Sequence, residues 1–255
     1  MSGMDALQTQ PNHKNDSRSR VTFYDTLRGF TIVSMCAFHA CYDLAYLYDL
    51  DMPWFTDALF QGIWRDSISF TFLILAGWMT SFSHSNFRRA GIYALTAIIV
   101  WAATTFAAVD TPVNFGILYC MAVCTFVWAC LRRCMGNKIE TLSNRALTVI
   151  CIAMVALFAL TCGIPQTRYP FEGLAWLGFP SATFASGDYY PLIPFVFLYL
   201  LGAFGAIRYR RTYTSEPAWM LHDWCPPLTV IGKHSLAVYL IHQPVVLLIL
   251  QVMLG

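Results

Sequence analysis

The chain has 255 residues, of which 57% are hydrophobic and 12% are charged, and its mean hydropathy is +0.53. Soluble domains carry roughly 25% charged residues, so this composition excludes an ordinary soluble globular protein. The formal net charge of +2 does not indicate a nucleic-acid partner, because phosphate backbones are bound by clusters of basic residues. A membrane crossing takes about 20 apolar residues, so the composition predicts about seven crossings of a lipid bilayer. Any chemistry is then expected inside the bilayer or at its edge.

The polar N-terminus, residues 1–20, lacks the apolar core of a cleavable signal peptide, and we predict a disordered cytoplasmic tail there. Residues 21–255 are predicted to form a single transmembrane domain. Seven apolar runs in this domain, each long enough to span the bilayer, cover residues 27–48, 62–83, 90–109, 112–131, 145–163, 189–207 and 228–253. The predicted fold is an all-α integral membrane protein, a polytopic helical bundle of about seven transmembrane helices.

The segment between the fifth and sixth runs, residues 168–187, is rich in aromatic residues and glycine. Its apolar stretches are too interrupted for a membrane crossing. The sequence therefore leaves open whether the segment is a re-entrant or interfacial piece or an outer loop.

Basic residues occur at alternate connections between the runs. These connections carry Lys14, Arg18, Arg20, Arg88, Arg89, Arg132, Arg133, Lys138, Arg145, Arg208, Arg210 and Arg211. The other connections carry Asp49, Asp51, Asp57, Asp110, Glu172 and Asp188, and the basic residues near them are Arg65 and Arg168. By the positive-inside rule the N-terminus is cytoplasmic, and an odd number of crossings places the C-terminus on the extracytoplasmic side.

The nine cysteines do not indicate a disulfide framework, because their number is odd and most lie inside predicted helices. Cys120 with Cys124, and Cys130 with Cys134, have the i,i+4 spacing that could place two thiolates on one metal ion. No ligand-like histidines accompany these pairs, so no metal site is predicted and the thiols are expected to pack as small polarizable side chains.

The first apolar run carries a stripe of ionisable residues. At 100° per residue, Asp25, Arg28, His39 and Asp43 fall within a sector of about 60° on one helix face. Ionisable residues inside a membrane are costly and are functional candidates by default. The alternative is that they only tie helices together, as Asp25 and Arg28 could at i,i+3.

The depth of each residue along this stripe suggests its role. Arg28 lies at the predicted cytoplasmic end, where a guanidinium can bind phosphate or another anion. His39 lies roughly 16 Å further along the helix, close to the membrane midplane, and can take and return a proton near neutral pH. Asp43, one turn beyond, is expected to orient the imidazole or to stabilise its charged form. His39 and Asp43 are therefore catalytic candidates.

The last apolar run carries a second polar set. His242 lies well inside the run and is a third catalytic candidate, although Pro244 is expected to disrupt the helix two residues later. His234 and Ser235 lie near the cytoplasmic entrance and are candidates for binding a cofactor. Hydrogen bonding between helices explains these two residues equally well.

At the outer face, Asp188 precedes the sixth run and Arg65, next to Asp66, begins the second. Asp188 and Arg65 are candidates for binding a polar acceptor. Alternatively, these charged residues pair with one another.

Short motifs in a fixed order run through nearly all of the chain after residue 20. They are Asp25-Thr26-Leu27-Arg28-Gly29, Met35, His39, Tyr42-Asp43-Leu44, Phe72-Leu73, Ala76-Gly77, Phe115-Gly116-Ile117-Leu118, Asp188-Tyr189-Tyr190-Pro191-Leu192-Ile193-Pro194, Gly232-Lys233-His234-Ser235-Leu236 and Tyr239-Leu240-Ile241-His242-Gln243-Pro244. In this order they resemble the bacterial DUF1624 group, which is related to the catalytic region of heparan-alpha-glucosaminide N-acetyltransferase. Arg28 and His39, separated by ten residues, are also similar to a pattern in the first helix of the wider transmembrane acyltransferase superfamily.

The resemblance implies a multi-pass enzyme of the bacterial plasma membrane. Such an enzyme takes an acyl group, typically acetyl from acetyl-CoA on the cytoplasmic side, and delivers it to a sugar hydroxyl or amine on the far side. Acetyl-CoA is then an acyl-donor co-substrate, Arg28 helps to bind it and His39 is the general base. The implied partners are the lipid bilayer, acyl-CoA and a carbohydrate acceptor. The lysosomal enzyme is larger, so its glucosamine acceptor is not carried over, and a homodimer is left open.

Two other functions fit the same residues. In a proton-coupled transporter or exporter, the stripe of Asp25, Arg28, His39 and Asp43 would form a relay, although no inverted repeat supports this. In a haem protein, His39 and His242 would be axial ligands. Substrate flux without CoA consumption would indicate the transporter, and a Soret band would indicate the haem protein.

Overall fold

The structure, a computed structural model, describes residues 20–83, 85–107, 111–213 and 215–254. Apart from Arg20, the predicted N-terminal tail lies outside the described residues, and so does Asp110 of the acidic connections. The described chain is helical and contains no β-strand, which confirms the all-α class.

Each of the seven apolar runs corresponds to a long helix. With one shorter helix before the last, they are α1 Thr22–Tyr46, α2 Ala58–Trp78, α3 Asn86–Phe106, α4 Ile117–Met135, α5 Asn144–Thr161, α6 Leu192–Thr212, α7 Pro226–Lys233 and α8 Ser235–Leu254. Short helical turns lie at Pro53–Thr56, Met79–Phe82, Lys138–Thr141, Ile164–Gln166 and Ala218–Leu221.

Five of the helical segments are long and apolar enough to cross a membrane, namely α3, α4, Asn144–Gln166, α6 and α8. Helices α1 and α2 have comparable lengths, about 37 and 31 Å at 1.5 Å per residue. Both helices carry charged residues within their length, Asp25 and Arg28 in α1 and Arg65 and Asp66 in α2. The chain is therefore a multi-pass membrane protein, whereas seven crossings and the orientation of the termini stay predictions.

The last apolar run differs from its prediction in two ways. It is broken at His234 into α7 and α8, where a single helix was expected. Pro244 does not end α8, which continues to Leu254. A proline removes one backbone hydrogen bond, but in hydrocarbon no water competes for the remaining bonds, so a membrane helix tolerates it.

The segment 168–187 is an irregular loop that joins α5 to α6. Tyr169, at its start, is held to Ser181 by an isolated bridge, and the Tyr169 amide donates to the Pro180 carbonyl at 2.9 Å. The amide of Ile193 donates to the Leu177 carbonyl at 2.8 Å. The loop is thereby fixed to the start of α6.

Two pairs of glycines let helices touch backbone to backbone. Gly29 of α1 faces α7, and Gly232 of α7 faces α1, so that a Cβ atom on Gly232 would overlap the Asp25 carbonyl oxygen. The second pair is Gly77 of α2 and Gly202 of α6, and a Cβ on Gly202 would overlap the Ile74 carbonyl oxygen of α2. Small residues at such crossings allow close helix packing in membranes. The first crossing brings α7 directly against the polar end of α1.

The buried core has a large cluster around α6 and a smaller one around α1. Trp128 of α4 and Tyr199 of α6 are fully buried in the large cluster, and Ile32 and Phe38 of α1 belong to the smaller one. The partly buried Tyr239 of α8 packs against both clusters. Tyr239 therefore joins the two clusters.

Candidate active site

The predicted catalytic histidines come together at the contact between α1 and α8. The ring centroids of His39 and His242 lie 5.0 Å apart, although the residues are far apart in sequence. Both side chains are half-buried. The structure therefore places two proton-accepting groups side by side within one membrane-embedded bundle.

The protonation of His242 is set by its own helix. Its Nδ1 lies 2.5 Å from the Tyr239 carbonyl oxygen, and since a carbonyl only accepts, Nδ1 must carry a hydrogen and donate. In the neutral ring Nε2 is then unprotonated. Nε2 is buried and has no hydrogen-bond partner among the described residues, so it is free to accept a proton or a hydrogen bond.

Asp43 has a different partner from the one predicted. Its carboxylate accepts a hydrogen bond from Gln243 Nε2 at 2.9 Å, and no bond to His39 is found in the described part of the chain. Asp43 is buried. It therefore ties α1 to α8 beside His242, and its effect on the histidines is to hold the two helices in register.

Arg28 is held at the α1–α7 crossing. It donates to Asp25 Oδ1 and to the Gly232 carbonyl, both at 3.2 Å. The buried Asp25 also accepts from Arg20 Nε at 2.5 Å. One carboxylate is thus shared by two guanidinium groups, and Arg28 is fixed near the polar end of α1.

A cavity of about 70 Å³ lies between α1, α2, α3, α4 and α8. Its polar lining consists of Arg28, Arg89, Tyr93, Ser235 and Tyr239. The ring of Tyr239 lies 5.5 Å, centroid to centroid, from that of His242. Tyr239 therefore connects one edge of this central cavity to His242.

Arg89 also lines the cavity. The hydropathy pattern does not indicate this role, because Arg89 falls in a basic connection between two apolar runs. Its Nε donates to the Tyr93 hydroxyl at 3.1 Å and its Nη2 to the Ala76 carbonyl at 3.1 Å. The neighbouring Arg88 is exposed. The serine at position 85 is the feature of the sequence that could have indicated this, because serine often caps the start of a helix. In the structure Ser85 accepts from the Arg88 amide at 3.3 Å, and the helix that begins there includes Arg89.

The two residues predicted to bind a cofactor beside Arg28 separate in the structure. Ser235 lines the central cavity. His234 is exposed at the end of α7 and does not line that cavity. The break between α7 and α8 turns the two neighbouring residues in different directions.

The predicted acceptor residues at the opposite end of the bundle do not pair with each other. Arg65 donates to Asp66 Oδ1 at 3.1 Å. Asp188 is half-buried and accepts from the Ile117 amide at 3.1 Å, at the N-terminus of α4. Burial raises the pKa of Asp188 to about 6. The Asp188 carboxyl therefore fixes the loop onto α4.

An apolar groove of about 710 Å³ runs between α3 and α4. It is lined in part by Ala90 and Ala94 of α3 and by Tyr119 of α4. Leu118 and Tyr239 line both this groove and the central cavity, so the two spaces adjoin.

Among the described residues, no group of three or more His, Cys, Asp or Glu side chains is arranged to hold a metal ion. Cys120 and Cys124 are buried free thiols whose sulfur atoms lie 3.8 Å apart. They pack within the large core cluster.

The sequence profile of the family "Heparan-alpha-glucosaminide N-acetyltransferase, catalytic" matches residues 20–244. The chain belongs to this family. No curated protein and no solved structure matches the chain significantly. Membership in the heparan-alpha-glucosaminide N-acetyltransferase catalytic family confirms the predicted resemblance and implies acetyltransferase-type activity in a membrane.

The matched range covers both histidines and every polar residue of the central cavity. The family uses acetyl-CoA as acetyl donor in general, a large anion with its phosphates far from its thioester. Two arginines line the cavity, and His242, whose Nε2 has no hydrogen-bond partner among the described residues, lies 5.5 Å, centroid to centroid, from the cavity-lining Tyr239. The residues present in this family member therefore fit a donor with an anionic end and a reacting end.

Proposed function

We propose that the protein is an acetyltransferase of a bacterial plasma membrane that moves an acetyl group from cytoplasmic acetyl-CoA to an extracytoplasmic sugar or glycan. The supporting observation is the His39–His242 pair, 5.0 Å apart, next to a cavity that contains Arg28 and Ser235. A proton-accepting pair in the same bundle as two cavity-lining arginines supports acyl transfer from an anionic donor.

In the proposed reaction, a hydroxyl or amine of the acceptor attacks the thioester carbonyl of acetyl-CoA. His39 removes the proton of the attacking group as the new oxygen–carbon or nitrogen–carbon bond forms. The carbon–sulfur bond then breaks, and the proton passes from His39 to the departing sulfur, which leaves as the free thiol of CoA. His242, whose Nδ1 is engaged by the Tyr239 carbonyl, offers Nε2 as a second proton site beside His39.

The fold supplies the alignment of the two substrates. Arg28 holds the donor toward the cytoplasmic end of α1, and His39 lies roughly 16 Å further along that helix, with His242 of α8 beside it. A donor bound at Arg28 and an acceptor entering from the opposite side meet at the histidines. Holding two reactants in this way converts a bimolecular step into a nearly unimolecular one.

The test uses purified protein, radiolabelled acetyl-CoA and a panel of sugars and glycans. His39→Ala and His242→Ala are expected to lower acetyl transfer by about 100-fold or more, the usual contribution of a general base, and Arg28→Ala to weaken donor binding. His222→Ala is the matched control, because His222 is exposed and is expected to leave transfer unchanged. If His39→Ala and His242→Ala transfer acetyl as fast as the wild type, the proposal is wrong. Substrate flux across vesicles without CoA consumption would indicate a transporter instead.

A further inference from the structure

We infer that the central cavity is an anion site in which Arg89 and Arg28 together bind a phosphate group of the acyl donor. The inference rests on the proposed function for the identity of the donor. It adds Arg89, and Tyr93 as its positioning residue, to the donor site.

Among the described residues, the charges of the side chains that line the cavity do not balance. Arg89 donates to two neutral groups, the Tyr93 hydroxyl and the Ala76 carbonyl, and forms no ion pair with a described carboxylate. In the part of the chain that the structure describes, Arg28 has one carboxylate partner, Asp25, which it shares with Arg20. Two guanidinium groups, Arg28 and Arg89, therefore line the cavity, and the one carboxylate that pairs with either of them among the described residues is shared with the exposed Arg20. A buried charge without a counter-ion is unfavourable inside a membrane protein, and a bound anion removes that penalty.

The geometry of Arg89 leaves donors for a ligand. A guanidinium has five N–H donors in a rigid fork, and the bonds to Tyr93 and Ala76 engage Nε and Nη2. The Tyr93 hydroxyl holds the plane of the guanidinium from one side. Because Tyr93 lies four residues beyond Arg89 on α3, the helix itself sets this orientation. Such fixed forks bind phosphate oxygens in a bidentate manner.

The size of the cavity limits what it can hold. About 70 Å³ accommodates one small anionic group or a few waters and is too small for a nucleoside. The phosphate group would therefore enter the cavity and the nucleoside would stay outside it. Since His39 lies roughly 16 Å beyond Arg28 along α1, the ligand must carry its phosphate and its reacting carbonyl at opposite ends of a long arm, as an acyl-CoA does.

A phosphate can also come from the head group of an anionic lipid, so the experiment compares both sources. Binding of unacylated CoA, and separately of phosphate-free pantetheine, is measured by calorimetry on the full chain in nanodiscs of phosphatidylcholine. Arg89→Gln is expected to weaken CoA binding at least tenfold and to leave pantetheine binding unchanged. Arg89→Lys, which keeps the charge but not the fork, and Tyr93→Phe are expected to lose part of that affinity. Arg88→Gln, which removes an exposed charge of the same helix, is the control.

The outcomes separate this inference from the proposed function. If Arg89→Gln binds CoA as tightly as Arg88→Gln, or weakens CoA and pantetheine equally, the phosphate site is overturned while acetyl transfer by the histidines can still stand. If the wild type binds inorganic phosphate through Arg89 but does not bind CoA, the anion site is supported and the proposed donor is wrong. Competition by phosphatidylglycerol that disappears in Arg89→Gln supports the site and assigns it to a lipid head group.

Discussion

At the residue scale, three carboxylates of this protein are held by three different kinds of partner. Asp25 is shared by Arg28 and Arg20, Asp43 accepts from the Gln243 side chain, and Asp188 accepts from a backbone amide. A carboxylate paired with a cation keeps its charge, whereas one that has only neutral donors is charged at a cost when it is buried. The three sites are therefore expected to respond differently to substitution and to pH.

The Asp43–Gln243 hydrogen bond predicts that Gln243→Ala destabilises the protein by about 1–3 kcal/mol, because the buried carboxylate of Asp43 loses its neutral donor. Thermal unfolding in detergent measures this effect. Gln251→Ala is the matched control, since Gln251 is exposed on the same helix. Asp43→Asn combined with Gln243→Ala is expected to recover part of the loss, as an uncharged amide is less costly to bury. Equal stability of Gln243→Ala and Gln251→Ala would contradict the role given to this bond.

The raised pKa of Asp188 predicts that the stability of the protein depends on pH. Its pKa is raised by burial to about 6, above the value of about 3.9 in an unfolded chain. The folded state therefore keeps the proton over a range in which the unfolded state has lost it. This proton stabilises the folded state fully below about pH 4, and the stabilisation is lost as the pH rises through 6. The loss in the free energy of unfolding is roughly 1–3 kcal/mol.

Asp188→Asn removes this titration and keeps an oxygen that can accept from the Ile117 amide. The variant is expected to be more stable than the wild type at pH 7, with a smaller difference at pH 4. Melting temperatures of both proteins across this range check the prediction. A difference that stays constant with pH would show that Asp188 does not titrate in the folded state as described.

At the element scale, the bundle depends on two helix crossings at which glycine brings backbones into contact. Gly202 of α6 lies against α2 at the Ile74 carbonyl, whereas a Cβ on Gly205, one turn further, would meet only the Trp78 ring at 3.5 Å. Gly202→Ala is expected to destabilise the protein by about 1–3 kcal/mol, because the helices must separate to admit a methyl group. Gly205→Ala is the control and is expected to be tolerated.

Melting temperatures of the two variants in detergent test the crossing. The prediction fails if Gly202→Ala is as stable as Gly205→Ala. A similar loss for Gly202→Ser would confirm that the added Cβ atom, and not the polarity of the side chain, is responsible.

Much of the fold at this scale could be predicted from hydropathy, because a long apolar run has few structures available to it in a bilayer. Six of the seven runs are single long helices, and the seventh is a long helix with a short one before it. The break at His234 and the continuous helix through Pro244 could not be predicted, since both depend on how neighbouring helices satisfy backbone groups. Likewise, the polar stripe on α1 indicated His39 and Arg28 as functional candidates, but helical periodicity carries no information about contacts between helices. It could not show that Gln243 would engage Asp43, or that Arg89 would turn into the same cavity as Arg28.

At the scale of the whole molecule, the two ends of the bundle have different chemistry. One end has a cleft of about 730 Å³ whose lining includes Arg132, Arg133, Arg210 and Arg211. The other end carries the loop 168–187 and Asp188. A basic end and an acidic end match the charge difference between cytoplasmic and extracytoplasmic surfaces. The donor is expected from the basic end and the acceptor from the other.

This orientation can be tested with two native cysteines. Cys134, at the end of α4 near the basic cleft, and Cys162, just after α5, are both exposed free thiols. In intact cells a membrane-impermeant maleimide is expected to label Cys162, and to label Cys134 only after the membrane is permeabilised. The variants Cys134→Ser and Cys162→Ser assign each signal to its residue.

The labelling pattern bears directly on the direction of acetyl transfer. If Cys134 is labelled from outside and Cys162 is protected, the bundle is inverted and Arg28 faces away from the cytoplasmic pool of acetyl-CoA. If both thiols are labelled from the same side, α5 does not cross the membrane between them, because α5 lies between these positions in the chain. Only labelling of Cys162 alone from outside places the arginine cavity and the histidine pair in the order that transfer out of the cytoplasm requires.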